Sequence, residues 1–568
     1  MLSKHRTWLL PALAALVLLA SCSKSNKQGK FIPKDAALVL HINGESLNSK
    51  LPWDEVKKNA LFEKIYADST LPPFMKPILD NPENSGIDIK SDLIFFAQKD
   101  SMGGIIVFEG TLKDAEKFKA FNLGASKGSL SEKDGISFVS KAPVIAGWNK
   151  DKFVYVIDAP QMNRHQKYRD DDIVTTDAVP RDLMASCKAI FDLKESNSLG
   201  TDDKFTSLMK KEGDIHLWLN TEQLYEGMDG IEALRMIKMD KFYSGNIMVA
   251  TAGFDNGKIN LNYKTYAGKD LDAILKKYSG GKIDETMLKQ IPSKDVAAVF
   301  ALHFKPEGIK ELVELSGMEG LINIGLMAFG FTMDDFIKAN KGDIMVAVTD
   351  LKAKNDSVVI KGVNGKDVTF RNNHVEPNIL FSASIGDKDA FNQLIRAGKK
   401  MGEDKMDDPD MKISYNTNGK YFAIGNSKSD VEKYLGSSNN TADYISHITG
   451  NPIGGYVNLQ YIMQATRSEL AKDSSDKIVY DASLKMWDNI YLKGGDYSDG
   501  GLSYDIEINL VDKTTNSLKQ LNNYIGVVGP VMDDKRKVRY IEDKVVVDSV
   551  MIKKPVPPPP PKRVKKRK

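Results

Sequence analysis

The chain has 568 residues, of which 42% are hydrophobic and 27% charged, with two cysteines and a formal net charge of +3. The positive sign sits at the ends: residues 1–21 carry +2 and residues 551–568 carry +8, leaving −7 on residues 22–550. A body of that sign argues against non-specific nucleic-acid binding, the length is that of two to four domains, and two cysteines exclude a disulfide-stapled fold.

At the start, Lys4 and Arg6 precede an apolar run from Trp8 to Leu19 that contains Pro11. This run has the length of a signal-peptide core and falls short of the ~20 apolar residues a spanning helix needs. It closes on Leu19-Ala20-Ser21-Cys22, which resembles the lipobox of bacterial lipoprotein precursors. The resemblance implies that residues 1–21 are a lipoprotein signal peptide. It also implies that Cys22 takes a diacylglycerol and fatty acyl chains such as palmitate, becoming the acylated N-terminus. One acyl chain binds a bilayer only marginally, at ~0.8 kcal/mol per buried methylene, so stable attachment takes more than one. Residues 22–30 are polar, basic and Gly/Ser-containing, as suits a tether. Ser23 rather than Asp follows the cysteine, and the acidic clusters of some surface-exported Bacteroidota lipoproteins are missing. By resemblance to known sorting rules, the expected location is the outer membrane, lipid-anchored and periplasm-facing.

The body after this tether contains a repeated pattern. Ile32–Asn43 recurs as Ile291–His303, each running from a proline-containing turn into an apolar strand. Ile105–Phe118 and Ile379–Phe391 both read as a strand followed by a helix, with Asp387 as an N-cap in the second. Gly213–Asn220 pairs with Gly450–Asn458. Ile247–Tyr263, turning at Asp255-Asn256-Gly257, pairs with Ile490–Tyr504, turning at Asp499-Gly500. Asn-Gly and Asp-Gly supply the positive φ of a tight hairpin turn. Each series ends in a helix, Leu271–Tyr278 and Leu518–Ile525. Five matches in one order predict two tandem duplicated α+β domains, 31–280 and 290–526, each a largely antiparallel sheet with helices packed on one face. Gln161–Arg181 has no counterpart and reads as a solvated loop. Residues 527–553 suggest further strands, with Val538–Ile552 forming a hairpin near Glu542-Asp543. Residues 554–568 are a proline spacer with a basic tip, Lys562–Lys568, suited to polyproline II.

The chain is poor in recognisable chemistry. Gly124-Ala-Ser126-Lys-Gly128 matches a nucleophile elbow, but a helix enters it and a strand leaves, the reverse of what lifts a serine into a site. Ser207-Leu-Met-Lys210 matches Ser-x-x-Lys without its companion motifs. Cys187 falls on the apolar face of a helix over Asp182–Phe191 and reads as a buried structural thiol. No two of the seven histidines lie at i,i+3 or i,i+4, and His41, His216 and His303 sit in apolar strands as packing residues. Asp170–Asp172 and Glu403–Asp410 lack the alternation of a calcium loop and read as solvated surface. No catalytic residue, metal site or cofactor site is expected. Leu321–Phe331, an uncharged apolar run, is expected as a buried helix, the alternative being the wall of a hydrophobic groove. The basic tail is a second expected partner surface, for an envelope protein or anionic polymer, the alternative being a solvated end.

With the lipobox, the Ile-Pro-Lys-Asp-Ala strand opening and the hairpin-plus-helix endings in place, the chain resembles a family of Bacteroidota lipoproteins defined as a domain of unknown function, the 4836 family. The resemblance covers most of residues 20–526 and implies location and architecture without a mechanism. The expected role is a non-enzymatic, membrane-anchored binding or scaffold module of the envelope. The alternatives are a carrier of lipid or another hydrophobic ligand and, more weakly, a hydrolase whose site is assembled from distant residues.

Overall fold

The structure is a computed structural model that describes residues 27–160, 181–225, 238–361, 367–401, 413–436 and 438–551. The lipobox with Cys22, the loop 161–180, the acidic runs at 170–172 and 403–410 and the basic tail lie outside the described residues.

Among the described residues, eighteen strands form one antiparallel sheet. The first ten are β1 (Ala36–Ile42), β2 (Leu93–Asp100), β3 (Gly103–Thr111), β4 (Ser129–Lys133), β5 (Ile136–Lys141), β6 (Val144–Trp148), β7 (Lys152–Asp158), β8 (Ile215–Asn220), β9 (Ile247–Asp255) and β10 (Lys258–Tyr266). The rest are β11 (Val296–His303), β12 (Asn340–Lys361), β13 (Asp367–Ile385), β14 (Ser414–Thr417), β15 (Tyr421–Gly425), β16 (Ile453–Asn458), β17 (Trp487–Ser498) and β18 (Gly501–Leu510). The helices that cover this sheet include α1 (Ala60–Tyr66), α2 (Ala115–Ser126), α3 (Leu183–Phe191), α4 (Asp203–Met209), α5 (Lys269–Tyr278), α6 (Glu285–Lys289) and α7 (Pro306–Ser316). They continue with α8 (Glu319–Ala328), α9 (Met333–Ala339), α10 (Lys388–Met401), α11 (Lys428–Leu435), α12 (Tyr444–Ile448), α13 (Ser474–Met486) and α14 (Ser517–Met551).

Strand pairing runs β6-β7-β3-β2-β1-β8-β9-β10 in the first half. It runs β14-β15-β13-β12-β11-β16-β17-β18 in the second. The segments paired in the sequence thus occupy corresponding places in the two halves. The hairpin β4–β5 is added at the outer edge of the first half. In the second half β12 and β13 stay paired from Lys352↔Glu376 out to Lys361↔Asp367. The halves join through β10 and β18, in register from Lys258↔Asn509 to Tyr266↔Gly501. Tyr263 and Tyr504 face each other there with ring centroids 4.6 Å apart. The hairpin turns next to the join require positive φ, which Gly257 (+68°) and Gly500 (+76°) supply.

One face of the sheet is packed. Val39, Phe96, Val107, Val154, Val156 and Trp218 are buried beneath α3 and α4, where Cys187, Ile190, Phe205 and Leu208 point down. Asp182 and Asp202 cap these two helices by accepting from Ala185 N and Phe205 N. In the second half Val299, Ala301, Met345, Ala347, Leu380 and Ala423 are buried beneath α6, α11 and α12. On the opposite face helices close over the ends. Phe118 of α2 packs on Trp148 and Phe153, with centroids 5.5 and 5.3 Å away. Phe391 of α10 packs on Phe422 at 5.5 Å.

The C-terminal region corrects the sequence reading. Of the expected strands over 527–553, the described residues up to Met551 form none: α14 runs without a break from Ser517 to Met551, with Pro530 inside it. Val538, Ile541 and Val545 recur at helical spacing, and the run continues a helix already established from Ser517. Both halves hold this helix. Asn59 Nδ2 donates to Asn522 O at 2.6 Å, Lys64 Nζ lies 3.0 Å from Asp533 and 2.7 Å from Asp534, and Lys535 pairs with Asp476.

Candidate functional site

Antiparallel strands that face water on one side ordinarily alternate apolar and polar residues. These do not. Around the middle of the sheet the second face carries Leu38 and Leu40 of β1, Phe95 of β2, Leu217 and Leu219 of β8, and Leu261 and Tyr263 of β10. It continues through Tyr504 and Ile506 of β18, Ile490 and Leu492 of β17, Val457 of β16, Phe300 of β11, Val346 of β12 and Ile379 of β13. All share one face because cross-strand partners point the same way. None is buried, and Phe300, Val346 and Ile379 are 42%, 36% and 45% exposed. On β1, β2, β8, β11 and β12 their neighbours one residue along the strand form the packed core, whereas on β10, β17 and β18 those neighbours are largely polar. In both halves the sheet is therefore apolar on both faces, and helices cover one of them far more completely than the other.

Two helices turn part of this open face into a cleft. β10 leads into α5, and β11 leads through Lys305 into α7, with Pro306 at the first helical position, where its missing N–H costs nothing. The helices approach closely at Gly308, where a Cβ would stand 2.9 Å from Tyr278 Cβ. Glu311 Oε1 then accepts from Tyr278 Oη and Lys277 Nζ, both at 2.6 Å, and those contacts, Lys277 first, hold its carboxyl below the usual range. Beneath them lies a cavity of about 410 Å³. Ile274, Leu275, Ile309 and Leu312 form its roof and Leu302, Ile344, Ile453, Leu502 and Tyr504 its floor. The floor continues along the open face into a hollow of about 220 Å³ over Phe300, Val346, Val348, Val457 and Leu492. A concave apolar site of this size accepts a small apolar molecule or an acyl chain. At its rim His303 Nδ1 and Asp343 Oδ1 are 2.8 Å apart.

The helix expected to be buried borders this region. Leu321–Phe331 is corrected: the helix forms as α8, but Leu321, Ile324 and Met327 are 57%, 69% and 65% exposed, and Phe331 is the buried residue of the run. Helix α8 packs on the outer side of α7, so it reaches no core; the apolar stripe at i, i+3, i+6 points to solvent.

The titratable groups form three clusters elsewhere. His41 and His216, distant in sequence, meet across β1 and β8 with Nδ1 atoms 3.1 Å apart. His41 Nε2 lies 3.1 Å from Asp92, and His216 Nε2 is 3.0 Å from Lys211 O. The carbonyl can only accept, so His216 donates through Nε2 and accepts through Nδ1, and His41 completes the chain when it carries both ring protons. Burial lowers the proton affinity of His216, and contact with His41 holds Asp92 below the usual carboxylate range. Both rings are 4% exposed, and Ser46, a hydroxyl in this corner, donates instead to Asp214. A second cluster is the ion pair of Glu109 and Lys152, with Lys152 Nζ 3.6 Å above the Phe31 ring. Burial pushes the Glu109 carboxyl up and the Lys152 ammonium down, against their mutual attraction. The third is a polar cleft of about 260 Å³ at the join of the halves, on the packed side, with Asn262, His447, Lys493, Asp505 and Glu507. Burial there raises the Glu507 affinity, but hydrogen bonds from Lys258 and Asn509 outweigh it and leave the carboxyl low.

The remaining sequence candidates are scattered. Ser126 ends α2, donating to Asn122 O at 2.8 Å and accepting from Gly128 N at 2.9 Å. Ser207 lies within α4 and Lys210 at its C-cap. Cys187 is fully buried, and burial pushes its thiol up to about 12. Among the described residues no group of three or more His, Cys, Asp or Glu side chains is arranged to hold a metal ion. Sequence reasoning missed the open face, although uninterrupted apolar runs such as Ala36–Leu40 and Val296–Leu302 carried the signal.

No curated protein matches the chain. Among solved structures it is similar to crystal form IV of TP0453, at 8% identity over 42% of this chain and 79% of that one, with a TM-score of 0.24. Crystal form III of TP0453 gives 11% identity over 44% and 82%, with a TM-score of 0.24. The β subunit of DNA polymerase III from Thermotoga maritima gives 8% over 68% and 98%, with a TM-score of 0.07. Scores this low carry no argument about fold or function. The family model described as a domain of unknown function, DUF4836, matches residues 29–368, well over half of the chain, and the protein belongs to that family.

Proposed function

We propose that the protein is a non-enzymatic lipoprotein of the bacterial envelope, anchored in the outer membrane through acylated Cys22 with a periplasm-facing, duplicated body that binds a lipid or another apolar ligand on its open face. The observation that carries this reading is the unbroken apolar surface of a sheet whose other face supplies the core. Apolar surface left uncovered on this scale marks a site for a ligand or partner. The cleft beneath α5 and α7, about 410 Å³, is the larger of the two hollows described on that surface. Anchorage is supported by Leu19–Cys22 and the polar stretch after it. A non-enzymatic reading is supported by the burial of the His41 and His216 rings and by the hydroxyls of Ser46 and Ser126, which donate to Asp214 and to Asn122 O. The scaffold role and a polymer or protein partner for Lys562–Lys568 are compatible with the same reading.

The experiment is binding of a fluorescent fatty acid to the purified full-length protein, alongside extraction of whatever lipid co-purifies. Ile309→Asp and Leu312→Asp should each weaken binding about tenfold, the ~1.4 kcal/mol or more lost when an apolar contact is replaced by a charge. Unchanged affinity in both variants, with no lipid extracted, would refute the ligand assignment.

A further inference from the structure

Two phenol hydroxyls stand on the open face where the halves join. Tyr263 of β10 and Tyr504 of β18 are direct cross-strand partners, and their rings stack with centroids 4.6 Å apart and planes 11° from parallel. Rings that rise from neighbouring strands in this way carry their hydroxyls on the same side of the sheet. Their neighbours on that side, along the same two strands, are Leu261, Thr265, Leu502 and Ile506. The first half builds a cross-strand stack on this face from two phenylalanines, Phe95 and Phe108, with centroids 4.2 Å apart. A floor needs no more than that; tyrosine adds only the hydroxyl. Among the described residues neither phenol has a hydrogen-bond partner, and neither oxygen is sealed from water. Burial raises the proton affinity of both, so each keeps its proton and offers a donor.

The pair also ends a straight register row. Tyr263, Tyr504, Gly494, Ile453, Leu302 and Ile344 are successive partners across β10, β18, β17, β16, β11 and β12. Four of them, Tyr504, Ile453, Leu302 and Ile344, floor the cleft beneath α5 and α7. Gly494 keeps the floor low beside the tyrosine, since a Cβ there would stand 2.8 Å from Tyr504 Cδ1. From β18 to β12 there are four strand intervals, a lane of about 19 Å at ~4.8 Å each. The lane is apolar along its length and polar at one end, which is the pattern of a long chain with an oxygen-bearing head. His303 and Lys305, the chargeable side chains that line the cleft, belong to the β11 end, three strand intervals or about 14 Å from β18. The tyrosines themselves offer two neutral donors. A carbonyl oxygen matches them, because it accepts two hydrogen bonds through its two lone pairs.

We propose that the Tyr263–Tyr504 pair is the head-group site of the open face: it holds the carbonyl oxygen of an acyl lipid, ester or acid, whose chain lies along the row beneath Ile309 and Leu312. This rests on the apolar-ligand reading proposed above and adds the class of ligand and its direction. The first half supplies Tyr263 and, through α5, which follows β10, part of the roof. The second half supplies Tyr504, the floor and α7. The site is complete only where the halves meet.

The test compares ligands that differ in one carbonyl: monopalmitoylglycerol and its ether analogue monohexadecylglycerol, with palmitic acid as a third. Each displaces diphenylhexatriene, a fluorescent hydrocarbon without a head group, from the purified full-length protein. The variant combines Tyr263→Phe with Tyr504→Phe, which keeps both rings and removes only the hydroxyls. Wild type should bind the ester about tenfold more tightly than the ether, the worth of one to two neutral hydrogen bonds. The double variant should lose that preference by weakening the ester alone. Palmitic acid that weakens in step with the ester extends the site to acids, and an acid left unchanged confines it to esters; both results support the carbonyl assignment. Ester and ether that bind wild type alike, or weaken alike in the variant, overturn the proposal and leave an apolar site on the face. A variant with a lowered unfolding temperature would show that the hydroxyls serve the fold, and overturns it as well. Wild type that binds neither the probe nor any of the three ligands removes the apolar-ligand reading, and this inference falls with it.

Discussion

The two faces of the sheet are built from the same strands and nearly the same residue types, yet they end in opposite states. On β2, Phe96 is 1% exposed beneath α3 and α4, while Phe95 points the other way to a face that helices cover only in part. On β11, Val299 is 3% exposed and Phe300, the next residue, 42%. Hydrophobicity alone does not decide which face becomes core; the helices do, and the residues at the end of each strand set where a helix goes. Asp182 and Asp202 start helices that drop onto one face, whereas Pro306 and Glu311 build a roof that stands off the other. The packed face stores stability, and the open face is the surface available for function.

The strongest way to break that distinction is to strike the dry side at its ion pair. Lys152→Met strands the Glu109 carboxylate, whose side chain is 1% exposed, and should cost about 3–5 kcal/mol because the remaining charge is buried without a partner. Glu109→Gln with Lys152→Met should recover most of that loss in denaturant titrations. A single variant as stable as wild type would mean that water reaches this corner, and that the packed face is not dry.

Next in size is the contrast between phenylalanines. Phe96→Ala should cost about 3–5 kcal/mol, the usual penalty for emptying a buried aromatic site. Phe300→Ala, already in water, should cost under about 1 kcal/mol. Equal losses, measured by the same thermal unfolding, would show that the open face is covered in solution by something the isolated chain carries itself.

The Asp92–His41–His216 chain sharpens the comparison through pH. Burial depresses His216 from its ordinary 6.5, and contact with His41 depresses Asp92 from 3.8. A group depressed on folding contributes stability above its unfolded pKa and loses it as pH falls through the folded value. Thermal stability should therefore begin to fall below about pH 6.5 on account of His216, and again below about 3.8 on account of Asp92. His216→Asn should flatten the first decline and leave the second. A first decline that persists unchanged in the variant would assign it to other groups.

Each feature was legible in the sequence to the degree that its signal is local. Asp255-Asn256-Gly257 and Asp499-Gly500 announced their hairpins because turn geometry is set by neighbouring residues. Cys187 was legible as a buried thiol because its helix face is written in spacing. The meeting of His41 with His216 was not, since 175 residues separate them and only the β1–β8 register brings them together. Leu321–Phe331 was misread because apolarity in a sequence does not say whether a neighbour exists to bury it. Val538–Ile552 was misread because β-branched runs take their conformation from context, and here they extend a helix clamped by Asn59 and Asp476.

The smallest expected effect is the most pointed. Phe300→Asp places a charge on the open face, where the side chain already meets water, so its folding penalty should stay within about 1 kcal/mol. On a sheet face that functioned only as incidental surface, nothing else would change. On a face that receives an apolar ligand, the aspartate sits on the floor that runs from Leu302 toward Val346, and burying it under a ligand would require an unpaired carboxylate in an apolar setting. Stability and binding should therefore separate: unfolding close to wild type, fatty-acid affinity reduced about tenfold or more. A variant that folds and binds as wild type would restrict ligand contact to the roof and floor of the α5–α7 cleft and remove the wider face from the site. A variant that unfolds would show that Phe300 belongs to the core after all, and the difference between the two faces would have to be drawn elsewhere on β11.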